Sequence, residues 1–162
     1  MQVINEHQDW GNEGIEIYNN WLRKKSKNNE DYHFELYSAV DIFSPFDLMQ
    51  IKRNVEDYSI EDIQYIEIKI RNIGINDYSD CQVDNEKIIK LQRLSLMTGS
   101  KCFLAAIYKV DKKIAIWEIQ TDEAYQTRET TAIWHTAAPQ WGKKTKIMAV
   151  LPLKDAKIYN YQ

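Results

Sequence analysis

Between residues 65 and 71 the chain alternates without a break, as Tyr65-Ile66-Glu67-Ile68-Lys69-Ile70-Arg71. A period of two is the signature of a strand. Successive side chains of a strand point to opposite faces. Glu67, Lys69 and Arg71 therefore share one face, and the three isoleucines share the other, which has to be buried. Two runs precede this strand. His33 to Val40 is β-like, with Phe34, Leu36, Ala39 and Val40 directed inward. Phe46 to Arg53 carries Leu48 and Ile51, and Ser44-Pro45 separates it from the first run. The polar stretch Asn54 to Asp62 reads as the hairpin connection.

Upstream the period becomes helical. Ile15, Tyr18 and Leu22, joined by Ile17 and Trp21, form one broad apolar face. Asn12 suits the cap of that helix, Glu13 and Glu16 suit the positive end of its dipole, and Arg23, Lys24 and Lys25 suit the other end. Ser26 to Asp31 reads as a loop, and so does the turn-rich segment Gly74 to Gln82. Asp84 then caps a second helix reaching to about Thr98, with Ile88, Leu91, Leu94 and Met97 buried, Lys87, Lys90 and Arg93 outward and Gly99 as the stop. Cys102 to Val110 and Ile114 to Gln120 are two more strands, joined by a tight turn at Asp111-Lys112-Lys113. Residues 121–139 show no clear period, and Ile147 to Leu153 is a last strand closed off by Pro152.

This order predicts an α/β (α+β) fold, a mixed β-sheet flanked by helices, in the sequence α-β-β-β-α-β-β plus a C-terminal extension. A chain of 162 residues is most simply one domain, with a core over about 10–120 and residues 121–162 packing on it. The net charge of -3 argues against holding nucleic acid by bulk charge alone. It leaves room for an acidic cluster offset by a metal. Cys81 and Cys102 have no close ligand spacing and read as reduced thiols. No segment approaches the ~18 to 20 apolar residues that span a bilayer, and no basic start leads into an apolar run. A soluble, cytoplasmic protein with no membrane partner is expected. His7, His33 and His135 are scattered and do not form a ligand set. Trp134, Trp141 and the lysines 143, 144 and 146 read as core and solvated surface rather than as a nucleic-acid contact.

An acid and a lysine side by side on a strand backed by isoleucines are half of a metal-dependent phosphodiesterase site. The other half would be an aspartate on the neighbouring strand, and Asp47 lies about twenty positions upstream. Aligning the hairpin ends sets Arg53 opposite Asp62 and Asp47 opposite Ile68, within cross-strand reach of Glu67 and Lys69. Asp41 is the rival, but the same count puts it beyond the hairpin. Magnesium takes oxygen ligands, often one or two carboxylates with waters and a substrate phosphate. Asp47, Glu67 and the main-chain carbonyl of Ile68 would supply that set, with Lys69 beside the attacking water or the phosphate. Taken alone, a Glu-x-Lys pair on a strand is more often a solvated face.

Asp47 followed by Glu67-Ile68-Lys69, with Asp84-Asn85-Glu86-Lys87 opening a helix and Lys101 to Tyr108 after it, resembles the PD-(D/E)XK nuclease superfamily over roughly residues 10 to 120. The first half of the motif is written Pro45-Phe46-Asp47 rather than Pro-Asp. The resemblance implies a restriction-endonuclease-like fold and a Mg2+-dependent deoxyribonuclease, endo- or exonuclease, with Mn2+ able to substitute. It implies Asp47, Glu67 and Lys69 as catalytic residues, with Glu13 of the first helix near the metal. Lys87 would face the DNA, and Arg71 would contact phosphate or pair with Glu67. It also implies DNA as partner, a homodimer for two-ended cutting, and stand-alone relatives in phages and mobile elements. The alternative is a catalytically inactive module of the same fold that binds DNA or a protein.

Overall fold

A computed structural model describes residues 3–27, 29–39, 44–133 and 142–162. Val40, the rival Asp41, Trp134, His135 and Trp141 lie outside the described residues, as do the side chains of His7 and Lys143. The elements are α1 (Val3–Ser26), β1 (Tyr32–Ser38), β2 (Leu48–Asn54), β3 (Ile60–Arg71), β4 (Asp80–Asp84), α2 (Asn85–Thr98), β5 (Lys101–Tyr108), β6 (Lys113–Ile119), β7 (Thr127–Ile133), β8 (Lys143–Pro152) and β9 (Lys157–Asn160). No described helix is long and apolar enough to cross a membrane.

Six strands form the main sheet in the order β1-β2-β3-β5-β6-β9. β3 and β5 are parallel, with Glu67 level with Leu104 and Lys69 level with Ala106. The other neighbours are antiparallel. Parallel strands need a crossover, and α2 supplies it. The mixed α+β architecture and the α-β-β-β-α-β core order are therefore as expected. β5 has the continuous apolar run of a strand covered on both faces. Its Leu104 and Ala106 join one core cluster with Leu91 of α2, and its Ala105 and Ile107 join another with Tyr18 and Leu22 of α1.

Several boundaries differ from the sequence reading. α1 starts near Val3, not at Asn12. A good capping residue does not halt a helix when no proline or turn precedes it. The expected loop Gly74 to Gln82 runs into β4, which pairs with β8 in a second, three-stranded sheet, β4-β8-β7. Cys81 and Val83 of β4 are buried, but five residues are too few for the period to stand out. Residues beyond 120 supply strands to both sheets, and the indole of buried Trp117 donates to the carbonyl of Pro152 at 2.9 Å. The second helix has the expected bounds, with Ile88 and Leu91 buried, but Leu94 is only partly buried and Met97, expected inside, is exposed in the last turn. Asp84 caps it by accepting from the Glu86 N–H, and Gly99 ends it at φ 71, donating to the Ser95 carbonyl. Both cysteines are free and buried, and burial pushes the Cys102 thiol up to about 11.

α1 lies against the isoleucine face of β3 at close range. A Cβ on Gly14 would sit 2.9 Å from Cγ2 of Ile68 and 3.3 Å from Cγ1 of Ile70. These branched side chains have little freedom to withdraw. Gly14→Val is therefore expected to lose about 1 to 3 kcal/mol through overpacking, read as a lower urea midpoint at unchanged m-value. An unchanged midpoint would mean that α1 does not approach β3 there.

Candidate active site

β3 carries two unlike faces. Ile66 and Ile68 pack under α1, while Glu67, Lys69 and Arg71 face the side covered by α2 and the second sheet. Glu67 is 1% exposed, one of only two polar or charged residues found fully inside among the described residues. A buried carboxylate is strongly unfavourable unless it is paired. Two lysines meet it at one oxygen. Lys69 Nζ lies 2.8 Å from Glu67 Oε1, and Lys87 Nζ lies 3.2 Å from the same atom. The second oxygen, Oε2, is buried with no hydrogen-bond partner among the described residues. An orphaned, buried carboxylate oxygen is rare and calls for an explanation.

Asp47 precedes β2. The β2–β3 ladder pairs Leu48 with Ile66 and Lys52 with Asp62, and shifts by one at Lys52/Arg53, so that Arg53 meets Ile60. At the hairpin end Arg53 lies two residues from its expected partner Asp62, and the bulge takes back one of them, so the rest of the ladder is one residue off the expected register. The slip matters, since directly opposed residues share a face and a slip of one exchanges faces. Extending the observed ladder by one step sets Asp47 across from Glu67, not Ile68. Asp47 also replaces a ladder acceptor with its side chain, its Oδ2 accepting from the Ile68 N–H at 2.7 Å. Its own N–H donates to the Ile66 carbonyl, and its carbonyl accepts from the Ala39 N–H, both at 2.9 Å. Half-buried and pinned in this way, Asp47 has its pKa pushed up to about 6, first by desolvation and then by the charge of Glu67, against the lowering effects of the Ile68 N–H, Lys69 and Lys87.

The remaining candidates separate. Lys87 was expected to face outward toward DNA. It stands in the first turn of α2, and the crossover brings its ammonium onto Glu67. No sequence signal marks that contact, because it depends on where α2 lies over the sheet. Glu13 pairs with Lys109 at 2.6 Å. Arg71 donates to the carbonyl of Gln82 and to the Cys81 sulfur of β4, and forms no ion pair with Glu67. The structure thus gathers Asp47, Glu67, Lys69 and Lys87, with the Ile68 main chain between them, and engages Glu13 and Arg71 elsewhere.

The donor set suits a hard divalent cation. Such an ion takes oxygen ligands and tolerates a site of one or two carboxylates completed by water. The orphaned Glu67 Oε2 beside the Asp47 carboxylate offers that pair. Among the described residues no group of three or more His, Cys, Asp or Glu side chains gathers to hold an ion, and those residues would contribute two carboxylates with main-chain oxygen.

No protein-family model matches the chain, and no curated protein matches it. Among solved structures, the chain is similar to a Holliday junction resolvase from Archaeoglobus fulgidus, an archaeal hyperthermophile, at 12% identity and TM-score 0.46, over 85% of this chain and 84% of that one. It is similar to a nuclease from a fusselovirus at 12% identity and TM-score 0.44, over 94% of this chain and 83% of that one.

The Asp47 environment has a sign that solution measurements can read. A carboxylate whose folded pKa lies above its unfolded value adds stability that is fully present below about pH 4 and is lost as pH rises to about 6. At neutral pH the ionised Asp47 therefore opposes folding. Asp47→Asn keeps an acceptor for the Ile68 N–H and removes the charge. In EDTA it is expected to stabilise the protein by about 1 to 2 kcal/mol at pH 7.5 and by close to nothing at pH 4. Urea unfolding at the two pH values checks this. Equal effects at both would mean that neither burial nor Glu67 raises the Asp47 pKa.

Proposed function

We propose that this chain is a metal-dependent nuclease that hydrolyses phosphodiester bonds of DNA, with Mg2+ as its ion and Mn2+ able to replace it. The observation that carries the reading is the orphaned Oε2 of Glu67, fully buried beside a second carboxylate that its charge disturbs. Evolution retains such an arrangement against its folding penalty where it has a use.

In this reading Asp47 and Glu67 hold the ion, with the Ile68 carbonyl completing the protein's share. When bound, the ion would polarise the scissile phosphate and lower the pKa of a coordinated water. The rest falls to the chain's own groups. The ammonium of Lys69 anchors Glu67 Oε1 and so aims Oε2 away from itself. With a third of its side chain exposed, Lys69 also reaches the surface where a phosphate or attacking water would sit, and it offsets the charge that develops there. Lys87 adds a second cation from the first turn of α2. Water attacks phosphorus as the bond to the leaving oxygen breaks, and no covalent enzyme intermediate is required.

One observation favours a second reading. Both lysines already satisfy Oε1, an ion cluster that is nearly closed without any metal. A catalytically inactive module of this fold, binding DNA or a protein, would keep such a cluster for its structure. Plasmid nicking in Mg2+ and in Mn2+ separates the two. The proposal expects nicking by the wild type that falls by about 100-fold or more in Glu67→Gln and Lys69→Ala. A second, independent test is calorimetric titration with Mn2+, in which heat of binding is expected for the wild type and is lost in Asp47→Asn and Glu67→Gln. Folded protein that retains DNA on a gel but cuts nothing in either metal would establish the inactive module instead.

A further inference from the structure

The opposite face of β3 poses a different question. Ile70, Ile68 and Ile66 continue along the same face as Gln64 and Asp62, so the core-facing row turns from apolar to polar halfway along the strand. β2 does likewise, with Gln50 and Lys52 on that face. A core-facing polar row is unusual unless something uses it. Here the rows form the floor of a cavity of about 410 Å³, which opens between the C-terminal half of α1 and the sheet. That volume lies within the range of small-molecule sites.

Three kinds of chemistry converge in it. The floor is a chain of hydrogen bonds. The Tyr18 hydroxyl donates to Gln50 Oε1 at 3.2 Å, Gln50 Nε2 to Gln64 Oε1 at 3.3 Å, and Gln64 Nε2 to Asp62 Oδ2 at 2.6 Å. Gln50 is 5% exposed, so these amides are held in fixed directions. The walls include aromatic rings whose faces are covered by ammonium groups. Lys25 Nζ lies 4.5 Å from the ring centre of Tyr159 and 5.2 Å from that of Trp21, and Lys52 Nζ lies 4.1 Å over Tyr32. The rim is cationic. Lys25, Lys52 and Lys157 line the cavity against the single carboxylate of Asp62, although Lys52 is also paired with Glu61 at 2.7 Å.

We propose that this cavity binds a nucleotide. A planar base takes the ring face that an ammonium now covers, as stacking of bases on aromatic side chains allows. The displaced lysine turns to the phosphate. The fixed amides of Gln50 and Gln64 and the carboxylate of Asp62 present donors and acceptors to the base edge and sugar. A ring that can receive either a cation or a base, next to lysines long enough to reach an anion, suits a ligand that is flat at one end and negative at the other. The ligand is either a free mononucleotide or an unpaired nucleotide at the end of a strand. The site is on the far face of the sheet from Glu67 and does not rest on the nuclease reading.

Titration of tryptophan fluorescence with AMP, and in parallel with GMP, CMP and UMP, tests it. Saturable quenching is expected with at least one nucleotide, and weaker binding of the matching nucleoside and of inorganic phosphate. Lys25→Gln and Lys157→Gln, at exposed positions where folding is not at stake, are each expected to weaken binding about fivefold. Glu67→Gln is expected to bind as the wild type does, which keeps this result separate from loss of nicking. A 5′-phosphorylated single-stranded octamer that competes more than tenfold better than the mononucleotide identifies a strand end as the source; weaker competition identifies the free nucleotide. No saturable response to any of the four nucleotides, or binding unchanged in both lysine variants, overturns the proposal.

Discussion

A carboxylate buried on a strand and held by two ammonium groups through a single oxygen organises this molecule. Glu67 is tolerable inside the protein only because Lys69 and Lys87 reach it. Lys69 comes from the same strand and the same face. Lys87 comes from α2, which lies over that face because β3 and β5 are parallel and a crossover must join them. The topology of the sheet and the charge balance of the site are therefore one constraint. An antiparallel β3–β5 pair would need no crossover and would leave Glu67 with one partner.

The second carboxylate depends on a finer detail. Asp47 stands level with Glu67 because a bulge at Lys52/Arg53 shifts the β2–β3 register by one residue. Without the shift the two acids would point to opposite faces of the sheet, and no ion could bridge them. The side chain of Asp47 then takes over an acceptor role from the backbone, bonding the Ile68 N–H. This single hydrogen bond fixes the acid beside the stretch Glu67-Ile68-Lys69. The price is a carboxylate that is both desolvated and crowded by the charge of Glu67, which together lift the Asp47 pKa.

β3 acts as a wall between two regions of different character. Its odd-numbered residues 67, 69 and 71 build the polar cluster under α2 and the second sheet. Its even-numbered residues first build the apolar seat for α1, at Ile66 and Ile68, and then the polar floor of the cavity, at Asp62 and Gln64. α1 can sit close to the apolar half because Gly14 has no side chain there. Further along, α1 presents Tyr18 and Trp21 toward the sheet instead of a glycine, and both line the cavity.

Periodicity and punctuation carried much of this in the sequence. Unbroken alternation identified β3 and its two faces, Asp84 and Gly99 bounded α2, and Cys102 to Val110 read as a strand. Glu67 and Lys69 were legible as a pair because residues two apart on a strand must share a face. Local patterns decide such features, since they depend on backbone geometry within a few residues. The register of β2 on β3, the contact of Lys87 with Glu67, the ion pair that takes Glu13 to Lys109 and the bonds that take Arg71 to β4 are different in kind. Each depends on where two distant segments come to rest, and a one-residue bulge or the lateral position of a helix alters it without changing any local pattern. Tertiary packing alone decided them, because burial and pairing energies act between segments that the chain order does not bring together.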